Sequence, residues 1–188
     1  MNRKLKTGLI VAAGIIQLVV VGTLIGRWEA TLGGGAEIRI PTGGFDPANP
    51  FVGRYVRIRS RLSSTNCVDG VEYWRLHRLW FAVRPNAESG LAEVVAVGKT
   101  RAELPEDAIA LQLQGRSMSK ETWAELPDRY YMSERTVGAA EKLVQTATSN
   151  ECVAVYRVNA DGGVLLADVE IRGKSLRDCV KESGSDGK

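Results

Sequence analysis

TGLIVAAGIIQLVVVGTLIG, running from Thr7 to Gly26, carries no formal charge. A helix rises 1.5 Å per residue, so a run of about 20 apolar residues matches a hydrocarbon layer about 30 Å thick. Ile10, Ile15, Leu18, Val20 and Ile25 spread apolar surface around every side of such a helix. In lipid its backbone groups can pair only within the helix itself. The stretch therefore predicts a transmembrane helix over 7–26 and divides the chain into an anchor and a cargo. A cleaved signal peptide is the rival, but its apolar region is shorter and closes on a small-x-small site, which this run lacks. Trp28 follows at the depth where indole rings favour the membrane interface.

Moving outward from the run, Arg3, Lys4 and Lys6 precede it, whereas Arg27 stands beside Glu29 after it. The excess of positive charge predicts a cytoplasmic N-terminus, residues 1–6, and an exported remainder. Within the helix, Gly22 and Gly26 form a G-x-x-x-G spacing that lets another helix approach closely, and Gln17 places an amide where lipid offers no partner. These residues fit either a companion helix or an ordinary membrane helix, in which small residues are common and one amide is tolerable.

About 160 residues follow the anchor, enough for one domain with a real core. A net charge of +3 and a pI near 8.8 compel no nucleic-acid partner. Gly33, Gly34 and Gly35 make 27–36 a flexible tether, 37–180 reads as the exported β-rich domain, and the small polar residues of 181–188 read as a disordered tail.

Within the domain, Glu37–Ile40 alternates as a first strand, and the Pro/Gly/Asp cluster from Pro41 to Pro50 argues against regular structure. From Gly53 to Leu62, Val56, Ile58 and Leu62 alternate with Arg57, Arg59 and Arg61. A period of two with one apolar face is a half-buried antiparallel strand. Val71–Val83, Leu91–Gly98 and Ala108–Gln114 read as further strands. Val137, Ala140, Leu143, Val144 and Ala147 repeat at helical spacing after a Ser133 or Thr136 cap. Asn159-Ala160-Asp161-Gly162-Gly163 supplies a hairpin turn between Cys152–Val158 and Gly163–Ile171. The fold class predicted is a single N-terminal transmembrane helix followed by a mostly antiparallel β domain with one amphipathic helix.

The stretch Phe45-Asp46-Pro47-Ala48-Asn49-Pro50-Phe51-Val52-Gly53-Arg54-Tyr55-Val56-Arg57-Ile58-Arg59-Ser60 resembles the signature of the bacterial GDYXXLXY family. Gly53 and Tyr55 fit, and Ile58 replaces the leucine. Arg54 stands where the family has aspartate, and Ser60 where it has its second tyrosine. Tyr130-Tyr131-Met132-Ser133-Glu134 and the strands after Val153 are similar in order and spacing to the family's C-terminal half. The resemblance implies a bacterial envelope protein held in the inner membrane with a periplasmic domain, of a kind found near multi-span membrane proteins. It transfers no catalytic residue.

The residues themselves nominate little chemistry. His77 is the only histidine, with no second ligand at metal spacing, so neither a metal nor a cofactor is expected. Ser117-Met118 is similar to the Ser-Met pair of membrane-anchored signal peptidases, with Lys120 and Lys142 as the lysines that a Ser/Lys hydrolase would need. The order of the parts differs from those enzymes, so no catalytic residue is assigned. Cys67, Cys152 and Cys179 allow one disulfide whose pairing the spacing leaves open. Arg57, Arg59 and Arg61, with Arg39 on a neighbouring strand, form a candidate interaction face for acidic groups. Trp74 and Trp80, in an aromatic stretch from Tyr73 to Phe81, are candidate ligand-facing aromatics. The leading expectation is a non-enzymatic accessory domain beside an integral membrane protein. The alternatives are a Ser/Lys hydrolase and a binder of envelope lipid or glycan.

Overall fold

The computed structural model describes residues 3–44, 55–65, 68, 75–118, 121–148 and 151–185. The chain forms two compact units, Met1–Gly35 and Ala36–Lys188.

The first unit is one helix, α1 (Arg3–Gly34), with a segment Gly8–Gly34 long and apolar enough to cross a membrane. The apolar run forms it as expected, but the expected tether over 27–36 does not appear. Helix continues through Gly33 and Gly34, and only Gly35 lies before the first strand. Each glycine costs a helix about 1 kcal/mol, yet adding residues to a formed helix avoids the unfavourable nucleation step. Thr31 also returns its hydroxyl to the Arg27 carbonyl at 2.9 Å.

The second unit is mostly antiparallel β. Its strands are β1 (Ala36–Pro41), β2 (Gly43–Gly44), β3 (Tyr55–Arg59), β4 (Arg61–Ser64), β5 (His77–Pro85), β6 (Ala92–Gly98), β7 (Ile109–Met118), β8 (Glu121–Glu125), β9 (Arg129–Tyr131), β10 (Cys152–Val158), β11 (Val164–Ile171) and β12 (Lys174–Ser175). They order as β1-β10-β11-β12, β2-β3-β9 and β4-β8-β7-β5-β6. Among the described residues two α-helices, α2 (Glu134–Thr146) and α3 (Leu176–Ser185), and a single 3-10 turn at Arg101–Glu103 complete the unit.

The alternating stretch at 55–62 is not one strand but two. Its period never changes, yet its neighbour does. Before Ser60 it pairs with β9, placing Tyr55 opposite Tyr131, and after Ser60 with β8, placing Leu62 opposite Ala124. Val56, Ile58 and Leu62 stay buried across the switch, which is what a period of two demands. The loop expected after Pro41 contains one paired step, Gly43 and Gly44 against Arg59 and Ile58. Thr42 holds this corner by donating its hydroxyl to the Arg59 carbonyl at 2.8 Å and its amide to the Cys152 carbonyl at 3.0 Å. In the region read as Val71–Val83, the described strand is β5; residues 71–74, with Trp74, lie outside the described residues, as do Gly53, Cys67 and Lys120.

The core draws on all three sheets. Phe81, Val83 and Leu111 from the five-stranded sheet meet Ile40, Tyr156 and Val169 from the four-stranded one. Each such side chain contributes about 1.5–3 kcal/mol by leaving water. Ser133 stands at the N-cap of α2 in extended conformation, and Ala140 and Val144 face the core. A disordered tail over 181–188 is corrected as far as Ser185, since α3 extends to there. Leu176 and Val180, four residues apart, are buried, and Lys174 bridges to Glu182 at 3.1 Å. The β domain thus carries a second helix, beyond the single one expected.

Candidate functional site

The signature strand positions the site. In β3, Ile58 is buried in the core while Tyr55 turns toward β9. There its ring meets that of Tyr131 edge to face, centroids 5.8 Å apart, and the Arg129 guanidinium lies over it at 5.1 Å. Edge-to-face packing sets the positive rim of one ring against the negative face of the other. Tyr131 is nevertheless 62% exposed.

One residue back along β9, Tyr130 points inward. Its hydroxyl donates to Asp168 Oδ1 at 2.6 Å, and the same oxygen accepts the Ser175 hydroxyl at 3.1 Å and the Val169 amide at 2.8 Å. Burial, then the hydrogen bond and charge of Asp168, push the phenol well above its usual range. Asp168 lies where β11 carries an irregularity opposite Val155 and Tyr156, which lets it meet both Tyr130 and β12. Arg177 of α3 stacks over Tyr130 at 5.4 Å.

On this base sits a cavity of about 490 Å³ lined by Tyr131, Met132, Ser133, Thr136, Arg177 and Lys181. That volume falls within the range of small-molecule sites. Its lining is mainly apolar, with two cations on successive turns of α3. Sequence reasoning misses it because β9 is not expected as a strand, no helix is expected at 176–180, and 181–188 is expected as a tail. The available signals were the Tyr130-Tyr131-Met132 run and the Leu176/Val180 spacing.

The nominated residues lie elsewhere. Arg57 donates to Asp128 at 2.7 Å, and Arg61 reaches Glu121 at 3.1 Å while stacking on Trp123 at 4.4 Å. The arginine row is exposed, but these two members already hold carboxylates of their own domain. Arg39 is not on a strand paired with β3; it lies on β1 and bridges to Glu170 across the four-stranded sheet. A smaller hollow of about 190 Å³ opens between Arg57, Arg59, Ser60 and Glu125. Trp80 is covered: Arg101 lies over it at 5.9 Å and Gly162 packs against its ring. Gln17, Gly22 and Gly26 lie on α1, and a β-carbon added to either glycine would meet nothing within 4 Å.

Ser117 is buried, sharing a 2.8 Å hydrogen bond with Thr122 and accepting the Val68 amide at 3.2 Å. His77 pairs in register with Gly115, and its Nε2 is buried without a hydrogen-bond partner among the described residues, so serine and imidazole are not joined there. Lys142 is exposed on α2. Cys152 is a buried free thiol held above its usual range by burial, with Glu151 and Cys179 adding to the shift, and Cys179 is also free. Among the described residues no group of three or more His, Cys, Asp or Glu could hold a metal.

Fold and site together define a class: a β-rich domain carried behind one apolar helix of membrane-spanning length. The family model described as GDYXXLXY protein matches residues 17–169, and the chain belongs to that family. No curated protein and no solved structure matches it.

Proposed function

We propose that this is a non-enzymatic accessory protein of the bacterial inner membrane, anchored by α1 with its N-terminus cytoplasmic and its β domain in the periplasm. In this reading it works by associating with an integral membrane protein through the anchor helix.

The observation that carries the reading is α1 itself. It is unbroken from Arg3 to Gly34, and its most apolar window is 0% buried. A helix of that composition needs lipid or other helices around it. Gly22 and Gly26 lie one turn apart and leave a shallow strip, with Gln17 on the same helix. Close backbone approach and an interhelical amide hydrogen bond are what hold helices together in lipid, where hydrophobicity does not. The engaged Ser117 hydroxyl supports the non-enzymatic side of the reading against a Ser/Lys hydrolase.

The test is affinity capture of the full chain from membranes in mild detergent, comparing wild type with Gly22→Leu/Gly26→Leu and with Gln17→Leu. The expected result is a specific integral membrane companion that the glycine double variant loses and Arg57→Glu/Arg59→Glu/Arg61→Glu retains. Recovery of the same companion with the glycine variant would overturn the helix-mediated reading. Reporter fusions at each terminus check orientation; an exported N-terminus would overturn it.

A further inference from the structure

The groove between β9, α2 and α3 plays no part in association through α1, and its lining has a chemistry of its own. Tyr131 and Met132 supply apolar surface, and Tyr131 is 62% exposed. Arg177 and Lys181 stand four residues apart on α3, so both cations face the same opening. Lys181 shares its charge with Asp178 at 2.8 Å, while Arg177 is held over the Tyr130 ring, which orders its guanidinium without neutralising it. Ser133 and Thr136 already bond each other at 2.8 Å, and Thr136 also donates to the Ser133 carbonyl, so their hydroxyl protons are engaged. An apolar floor rimmed by two cations fits an amphiphile with an anionic head. The chain carries a helix of membrane-spanning length with only Gly35 between it and β1, so lipid is the anionic amphiphile most abundant around it.

We propose that this groove binds one acidic phospholipid, its phosphate against Arg177 and Lys181 and an acyl chain along Tyr131 and Met132. The site holds the β domain to the membrane surface by a contact separate from the anchor. Each cation near an anionic surface is worth about fivefold in affinity.

The test uses the full chain in nanodiscs of phosphatidylcholine alone or with phosphatidylglycerol, read by amide hydrogen exchange over 131–136 and 176–181. The expected result is slower exchange in both segments with phosphatidylglycerol. Lys181→Gln, at an exposed position, weakens this dependence about fivefold, Tyr131→Ser, also exposed, weakens it too, and Lys142→Gln, a cation on the exposed part of α2, leaves it unchanged. Equal exchange in the two lipids would overturn the proposal. So would an equal loss in Lys142→Gln, which would mean diffuse surface charge. Protection by glycerol phosphate added to phosphatidylcholine discs would overturn it as well, because the acyl chain would then be dispensable. Gly22→Leu/Gly26→Leu leaves the lipid effect intact, which separates this outcome from the fate of helix-mediated association.

Discussion

Trp80 and Tyr131 are both aromatic rings beside arginines at the surface of one β domain, and the chain treats them in opposite ways. Over Trp80 it folds its own hairpin tip: Gly162 sits on the ring, its carbonyl accepts the Gln112 amide at 2.8 Å, and Arg101 reaches the Ala160 carbonyl at 2.6 Å. The result joins the four-stranded sheet to the five-stranded one. Around Tyr131, among the described residues, nothing comparable closes; the ring leans on Tyr55 and leaves a cavity beside Arg177 and Lys181. One aromatic is used to build the domain, and the other is left available. The difference teaches that an aromatic-cationic pair signals a site only when the chain does not itself cover it.

The sharpest way to break the closed side is Gly162→Ala. Its φ of +81° suits glycine, and an added β-carbon would lie 2.6 Å from Cζ3 of Trp80 and 3.0 Å from the Gln112 amide nitrogen. The strained backbone and the overpacking together cost on the order of 3 kcal/mol. Thermal denaturation of the full chain in detergent should show a lower midpoint by several degrees, and an unchanged midpoint would mean that the hairpin tip does not dock as described.

Tyr130→Phe comes next and probes the base under the open site. Asp168 Oδ1 loses one of its donors, a charge-assisted bond worth about 2 kcal/mol. The effect is pH-dependent with a defined sign. Because the folded phenol titrates above its unfolded value, its contribution is complete below about pH 10 and disappears as pH rises beyond it. Denaturation midpoints followed into the alkaline range should fall for wild type and fall less for Tyr130→Phe. Tyr156 and Cys152, also raised by burial, contribute to the slope that remains. Parallel profiles would remove Tyr130 from the account.

Arg101→Gln is a milder challenge to the closed side. It gives up a weak stacking contact with Trp80 and the bond to the Ala160 carbonyl, both at an exposed position. A loss of about 1 kcal/mol is expected. Amide exchange should report it mainly at residues 159–163.

How much of this contrast could be read in advance depended on whether the deciding contacts were local. The Asn159–Gly163 turn was legible because its chemistry is contained in five residues: Asn159 Oδ1 accepts the amides of Asp161 and Gly163 at 3.0 and 2.7 Å. The α2 face and the half-buried strands were legible from periodicity, as was the apolar helix. The break at Ser60 was not, because alternation continues through it and only the change of partner from β9 to β8 marks it. The short strand at Gly43–Gly44 and the fate of 27–34 escaped for a related reason: glycine-rich composition predicts freedom, whereas pairing or a preceding helix removes it. The groove was invisible because its lining comes from segments about 45 residues apart that the packing of α3 against α2 and the Asp168 network bring together.

The smallest expected effect is also the one that defines the open side. Tyr131→Ser removes a ring that is mostly in water, so the domain should keep its stability within about 0.5 kcal/mol, far less than a change at Gly162. Among the described residues the substitution removes the edge-to-face contact with Tyr55 and an exposed side-chain hydrogen bond to Arg129, and Arg129 can remain over Tyr55 without them. A large loss of stability on this substitution would mean that Tyr131 builds the domain as Trp80 does, and the distinction between a ring that is covered and a ring that is offered would collapse. A near-neutral result leaves the exposed ring without a role in folding, so its place beside two cations has to be explained by what it meets outside the chain.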